Sequence, residues 1–252
     1  MELTVIASGS NGNCYLVQEN GTSVLIDAGL GFHETARRIA AVGKDIRQVD
    51  AIVLSHAHAD HYLGIGPIAR SLNIPVYATK EVYSGCKERL GRTEMRHFDG
   101  CFRIDGMEIT PVETSHDVPA FGFVVGRLGI FTDTGRVTSG MKEAIGDLDV
   151  IVLESNYDEE MLINGPYPAY LKERISSEHG HLSNDDASDF ISRYGSHLSL
   201  VLLAHLSEKN NTIARVKETF ENLNEGCNYV ICSRYRETGT YRIETPLRTI
   251  CG

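Results

Sequence analysis

Short apolar runs with strand-like spacing alternate with amphipathic stretches along most of the chain. Runs rich in Val, Ile, Leu, Phe and Tyr, bounded by Gly, Asn, Asp or Pro, predict strands. They fall at 3–8, 13–18, 23–27, 51–55, 75–77, 107–113, 121–126, 128–132, 149–153, 200–204, 228–232 and 239–244. Apolar residues at helical spacing predict helices over 32–43, 64–72, 79–90, 137–146, 183–195 and 210–223. Asn20-Gly21, between two strands, has the composition of a tight hairpin turn. Ser183 or Asn184, followed by Asp185 and Asp186, reads as a helix start with anionic residues at the positive end of the dipole. A run of hairpin strands and strand–helix units fills the first half, and a similar run fills the second. That order predicts an α/β fold: two mixed β-sheets packed face to face with helices outside, a four-layer αββα sandwich. No low-complexity linker interrupts it, so residues 1–252 read as one domain.

The longest apolar runs, such as DVIVL and SLVLLA, are far too short to span a bilayer, so no membrane role is expected. The chain opens on the strand-like MELTVIASG, without the look of a secretory signal. Cys14, Cys86, Cys101, Cys227, Cys232 and Cys251 are scattered, with no C-x-x-C pair. They read as reduced thiols of a cytoplasmic protein. The formal net charge of −10 makes the chain a poor non-specific binder of polyanions. Arg234, Arg236 and Arg242, in SRYRETGTYRI, are a local exception. They fit a solvated basic strand or a phosphate-binding patch.

The chemistry concentrates in SHAHADH, residues 55–61. His56 and His58 leave the strand QVDAIVLS and, at i and i+2 of extended chain, point the same way. Asp60 and His61 fall where the chain has turned into the next helix. The two pairs therefore face two adjacent ions rather than one. Neutral imidazoles and a carboxylate suit zinc, manganese or iron. Two ions need more ligands, and His116, Asp133 and His205 each stand just past an apolar run. Asp133, with two carboxylate oxygens, is the natural bridge. His33, His97 and His197 lack such company and read as ordinary surface or core residues.

These residues resemble the metallo-β-lactamase superfamily. The likeness runs in order through Asp27 in VLIDAG, SHAHADH, His116, Asp133 in IFTDTG and His205 in LLAHLS. It implies the same αββα fold and a ligand assignment. His56, His58 and His116 would hold one ion, Asp60, His61 and His205 the other, and Asp133 would bridge. Asp27 would stand behind them, accepting hydrogen bonds from the ligand loop and orienting it. EHGHLSNDDA, residues 178–187, resembles a segment of tRNase Z-like phosphodiesterases that carries a general acid, and His181 matches that histidine. ASGSNGNCYLV, FTDTG, LESNYD, ISSEHGHLSN and LLAHLSEKNN together resemble the YycJ/WalJ group, associated with 5′→3′ exonuclease action on double-stranded DNA. The resemblance implies a dinuclear phosphodiesterase acting on DNA through a hydroxide that bridges the ions. His181 and Asp60 would be its catalytic residues. Ser8, Ser10, Asn13, Asn156, Tyr157, Arg174, Ser207 and Asn210 are polar candidates for holding phosphate or sugar. Residues 164–175, NGPYPAYLKERI, read as an ordered loop or lid over the site. The acidic charge favours an alternative, a small-molecule hydrolase for a cyclic phosphate, thioester or lactone. A metal-stabilised regulatory partner is a third reading, and the full ligand set argues against it.

Overall fold

The computed structural model describes residues 1–223 and 228–244. The first sheet is built from β1 (Glu2–Ala7), β2 (Cys14–Glu19), β3 (Thr22–Ile26), β4 (Ala51–Val53), β5 (Val76–Ala78) and β6 (Met95–His97). The second contains β7 (Phe102–Ile104), β8 (Met107–Glu113), β9 (Phe121–Val125), β10 (Leu128–Phe131), β11 (Val150–Glu154), β12 (Leu200–Ala204) and β13 (Tyr229–Ile231). β14 (Thr240–Arg242) returns to the first sheet and pairs with β1. Both sheets are mixed, and their plans match. Antiparallel hairpins β1–β2–β3 lead into parallel β4, β5 and β6. Antiparallel β8–β9–β10 likewise lead into parallel β11, β12 and β13.

The near-continuous apolar strands are explained by burial on both faces. Val24, Ile26, Tyr15 and Val53 point between the sheets, where they meet Phe123, Val125, Ile130, Val152 and Leu202. Their neighbours point outward. Leu16, Leu25 and Ile52 pack under α1 (Phe32–Ala41), α3 (Ile65–Leu72) and α4 (Lys80–Leu90) through Ile39, Ile68 and Val82. Ile151, Leu153 and Leu203 pack under α5 (Ser139–Ala144), α8 (Asn184–Tyr194) and α9 (Ile213–Leu223) through Met141, Phe190, Val216 and Phe220. The layers are helix, sheet, sheet, helix, as the alternation predicts.

Local signals hold at several points. Asn20 and Gly21 take φ of 49° and 89°, closing the β2–β3 hairpin. Ser183 caps α8 by accepting the Asp186 N–H. The helix expected over 64–72 is α3, and a short helix, α2 (Ala59–Tyr62), precedes it. Gly64, between them, approaches so closely that a Cβ there would lie 1.8 Å from the Leu30 carbonyl oxygen. Residues 164–175, expected as a loop, include helix α7 (Ala169–Ile175), which follows Pro168, and α6 (Glu159–Asn164) precedes it. Cys14, Cys86 and Cys232 are buried free thiols and Cys101 is an exposed one. Cys227 and Cys251 lie outside the described residues. Among the described residues, no helix is long and apolar enough to cross a membrane.

The parallel strands determine where loops can meet. β3, β4, β10, β11 and β12 run the same way within their sheets, so their carboxyl ends collect at one edge of the sandwich. Loops there converge while the sheets stay rigid. Gly122 on β9 keeps β10 in place at this edge. A Cβ on Gly122 would lie 2.3 Å from Phe131 Cδ1 and 2.6 Å from the Ile130 carbonyl oxygen. Gly122→Ala should therefore displace β10 and cost about 1–3 kcal/mol of stability, read as a lowered urea midpoint at unchanged slope. A midpoint equal to wild type would show that the contact relaxes freely.

Candidate metal centre

Six imidazoles and four carboxylates meet at that edge. Asp27, Asp133 and His205 each follow a strand within two residues, and all three adopt left-handed backbone, with φ of 59°, 58° and 55°. Such a conformation costs a non-glycine residue about 1–3 kcal/mol. Here it turns each side chain from the strand direction into the edge. The loops are stitched by backbone hydrogen bonds. Asn13 N–H donates to the Asp60 carbonyl at 2.7 Å, Ala28 N–H to the His61 carbonyl at 2.8 Å and Gly135 N–H to the Ser115 carbonyl at 2.8 Å.

Each histidine has one nitrogen committed to a fixed partner, and that choice orients the other. His61 Nδ1 donates to Asp27 Oδ2 at 2.7 Å. Ser55 Oγ donates to the same Asp27 oxygen at 2.8 Å and accepts from His56 Nδ1 at 2.9 Å. His116 Nδ1 donates to the Gly180 carbonyl at 3.0 Å, and His205 Nδ1 donates to Glu154 Oε1 at 2.9 Å. These bonds leave the Nε2 lone pairs of His56, His61, His116 and His205 facing the centre. His58 Nε2 lies 3.3 Å from Asp117 Oδ1, which leaves its Nδ1 facing His116 Nε2 at 3.2 Å. Two lone pairs at that distance repel unless a cation lies between them.

Among the ligand-capable atoms are two triplets with no member in common. His56, His58 and His116 converge within 4.8 Å of one another, and so do Asp60, His61 and His205. Asp133 lies between them, with Oδ2 3.2 Å from His61 Nε2 and Oδ1 4.0 Å from both His56 Nε2 and His116 Nε2. The halves are less separate than the loop geometry predicts. The His56 and His61 rings pack with centroids 4.0 Å apart, and both reach Asp133. His56 Nε2, His205 Nε2 and Asp133 Oδ2 are buried without a hydrogen-bond partner. Native interiors rarely leave such atoms unpaired. A pair of divalent cations fits the donor set.

Charge follows the same division. Burial and the neighbouring His61 hold His56 well below the ordinary histidine range, and burial with His116 lowers His58. These imidazoles are neutral and free to ligate. Burial also opposes charge on His61 and His205, but the surrounding carboxylates win. Asp133, Asp27 and Asp60 raise His61 well above its ordinary value. Asp133, Asp60 and Glu154 push His205 up to about 10. Burial resists ionisation of Asp133 too, yet His205, His61 and His56 hold it well below the carboxylate range. The second triplet therefore demands positive charge, which a proton supplies when no metal does.

Glu154 is the residue that sequence reasoning missed. It is fully buried at the end of β11 and accepts from His205 Nδ1, from His181 Nδ1 at 2.7 Å and from the Thr134 N–H at 2.8 Å. Its only signal is a carboxylate ending the apolar run VIVLE. His181 lies at the cavity wall, with a side chain 23% exposed. His179 lines the same cavity, with Nδ1 3.3 Å from Ser115 Oγ.

Most residues read as substrate contacts have other partners. Ser8 is buried and accepts the His205 N–H at 2.7 Å. Asn13 is buried, with Nδ2 2.9 Å from His61 Nε2 and donating to Asp60 Oδ2 at 3.3 Å, contacts that a bound ion would replace. Asn156 donates to the His205 carbonyl at 2.8 Å and reaches the cavity wall. Tyr157 is buried beside Ser183, and Asn210 is buried with its amide unpaired. Ser10, Ser207 and Arg174 do line the cavity, of about 270 Å³, that borders the centre. Arg174, on α7, is held by Asp117, the residue after His116. α7 thus forms an ordered wall, with Tyr167 and Leu171 facing the same cavity.

A sandwich of two mixed sheets with a histidine–aspartate centre at one edge defines a class of metal-dependent hydrolases. Residues 22–206 match the beta-lactamase superfamily domain, and the chain belongs to that superfamily. It is 35% identical over 225 residues to the exodeoxyribonuclease YycJ of Bacillus anthracis, covering 84% of each chain. It is 32% identical over 221 residues to the exodeoxyribonuclease WalJ of Streptococcus pneumoniae, covering 82% of each. Among solved structures, the metallo-β-lactamase fold protein YhfI of Bacillus subtilis superposes with a TM-score of 0.72 at 18% identity, covering 95% of this chain and 98% of that one.

Because His205 holds its proton up to about pH 10 without metal, a metal ion must displace that proton and the one on His61. Metal affinity should rise with pH until about pH 10, where His205 gives up its proton unaided, with about two protons released per chain on loading below that. Calorimetry in buffers of different ionisation enthalpy measures this. Loading without proton release would show both imidazoles already neutral.

Proposed function

We propose that this chain is a dinuclear metal-dependent phosphodiesterase that degrades DNA from a 5′ end. The observation that carries the metal half is the ring of imidazole lone pairs around Asp133, with buried ligand atoms that no protein donor satisfies. In this reading His56, His58 and His116 would hold one ion and Asp60, His61 and His205 the other, with Asp133 available to both. Zinc or manganese suits the donors, as does iron. The DNA half is supported by 35% identity, across 84% of both chains, to a protein named an exodeoxyribonuclease.

When bound, two divalent ions supply an acidified water and charge to balance that developing on phosphoryl oxygens. The chain's own residues do the rest. Asp27 and Glu154 fix ring orientation, because each accepts from a ligand imidazole on the side away from the centre. Asp60, the most exposed member of its triplet with a side chain 21% exposed, orients the attacking water. His181 holds the proton for the leaving oxygen at Nε2, since Nδ1 is committed to Glu154. The Glu154 carboxylate, by accepting from Nδ1, keeps the ring turned with Nε2 away from the protein. Burial opposes the charge on Glu154, but His181 and His205 hold it below its ordinary value. Arg174, aligned by Asp117, meets a substrate phosphate at the wall.

A small-molecule reading has one observation in its favour: the cavity bordering the centre is about 270 Å³, near the lower end for ligand pockets. Metal analysis paired with digestion of 5′- and 3′-labelled DNA, single- and double-stranded, decides between the readings. Stepwise release from the 5′ end is expected. Hydrolysis of a thioester or lactone with no attack on DNA would reverse the assignment. His181→Ala should lower kcat about 10²–10⁴-fold with metal content still near two per chain. Loss of metal instead would make His181 a ligand. Glu154→Gln should lower kcat and also weaken metal binding, about 10–100-fold, because it frees His205 as well.

A further inference from the structure

The arginine-rich segment near the C-terminus takes no part in the proposed chemistry, yet it is anchored beside the centre. Arg234 donates to the carbonyl of Leu206, the residue after His205. Its Cβ also lies 3.2 Å from where a Cβ on Gly9 would stand, in the loop that carries Ser8 and Ser10. From the other side, the buried guanidinium of Arg38 donates to the Arg234 carbonyl at 3.2 Å. Held on both sides, the chain presents its next two residues outward. Tyr235 is 69% exposed, and Arg236 is exposed with no hydrogen bond or ion pair among the described residues. Ile213, 61% exposed, faces the same groove of about 510 Å³. Ser207 belongs to the walls of both this groove and the cavity at the centre, so the two adjoin at that residue.

An exposed tyrosine ring and isoleucine gain little from water. Beside an unpaired guanidinium they match a nucleotide: a flat apolar face for the base and a cation for the phosphate. Glu208 and Glu237 are the opposing charges in this groove; Glu208 is engaged by Tyr235 Oη at 3.1 Å and by Arg234 at 3.7 Å, and Glu237 keeps one carboxylate oxygen buried. We propose that Tyr235, Ile213 and Arg236 form a nucleotide subsite adjoining the centre, in which a base of single-stranded DNA stacks on Tyr235 and Arg236 meets its phosphate. The subsite rests on DNA being the substrate of the centre.

The test compares the metal-loaded wild type with Tyr235→Ala, Tyr235→Phe and Arg236→Ala on two substrates, an end-labelled single-stranded oligonucleotide and bis(p-nitrophenyl) phosphate. Tyr235→Ala should raise KM for the oligonucleotide about tenfold, and Tyr235→Phe should leave it near wild type. Arg236→Ala should reduce the slope of log KM against log salt by about 0.7. All three should hydrolyse bis(p-nitrophenyl) phosphate as wild type does. An unchanged KM in Tyr235→Ala overturns the subsite. So does equal harm from Tyr235→Phe, which would assign the effect to the hydroxyl on Glu208, and so does equal loss on both substrates. A wild type that digests end-labelled duplex but neither binds nor cuts the single-stranded oligonucleotide overturns the subsite alone; one that cleaves bis(p-nitrophenyl) phosphate and attacks neither form of DNA overturns the DNA reading, and the subsite with it.

Discussion

Three carboxylates with almost no access to water, those of Asp27, Asp133 and Glu154, are held among imidazoles at one edge of the sandwich. A buried carboxylate costs several kcal/mol unless donors surround it, so their hydrogen bonds sort their roles. Asp27 accepts from His61 Nδ1, Ser55 Oγ and the Ser55 N–H. Glu154 accepts from two imidazoles and two backbone N–H groups. Asp133 alone keeps an oxygen that no donor meets. The satisfied pair faces protein and fixes the rings. The unsatisfied one faces the space where positive charge is missing. Nearly everything else at this edge exists to hold that imbalance in place.

The matching plans of the two halves explain how one chain supplies both kinds of carboxylate. Asp27 follows β3 and Asp133 follows β10, the third strands of equivalent hairpin sets. Both are left-handed, and both open an Asp-x-Gly turn. Gly29 and Gly135 complete those turns against backbone, where an added Cβ would lie 1.8 Å from the Asp60 carbonyl oxygen and 2.3 Å from that of Ser177. One local solution therefore serves twice, with different outcomes set by its surroundings. In the first half the aspartate meets Ser55 and His61 and is used up. In the second it emerges between the two histidine triplets and is not.

Much of this is legible in the amino-acid sequence. Apolar strands buried on both faces leave a strong signal, and so does a dense histidine cluster at a strand end. Weaker elements leave none. β6 and β7 are three-residue strands at the far ends of their sheets, and MRH has little apolar content to betray it. α6 and α7 are short and separated by NGPYP, whose glycine and prolines read as loop. Glu154 is hidden because one acidic residue closing an apolar strand resembles a strand end reaching solvent. Ser8, Asn13 and Asn156 mislead the other way: polar residues in glycine-rich or strand-end loops read as ligand contacts. Here they satisfy backbone and imidazole atoms that the crowded edge buries. Sequence shows which residue types gather; it does not show which of them the protein itself consumes.

Charge sets the terms on which such a centre can take DNA. With a formal net charge of −10, the chain repels a polyanion at distance, so long-range steering works against association. Attraction has to be local. In the proposed reading it comes from the cations that the centre would hold, from Arg174 as aligned by Asp117, and from Arg236, which has no hydrogen bond or ion pair among the described residues. Acidic residues beside the working cations, Asp117 and Glu208, hold Arg174 and Tyr235 in position while reducing the net pull on phosphate. Few phosphates are then neutralised at once, and binding that releases few counterions depends weakly on salt. A nuclease built this way gains little from sliding along duplex. Stacking and metal charge act only where a strand enters the cavity, and a free end is the part of DNA that enters most readily.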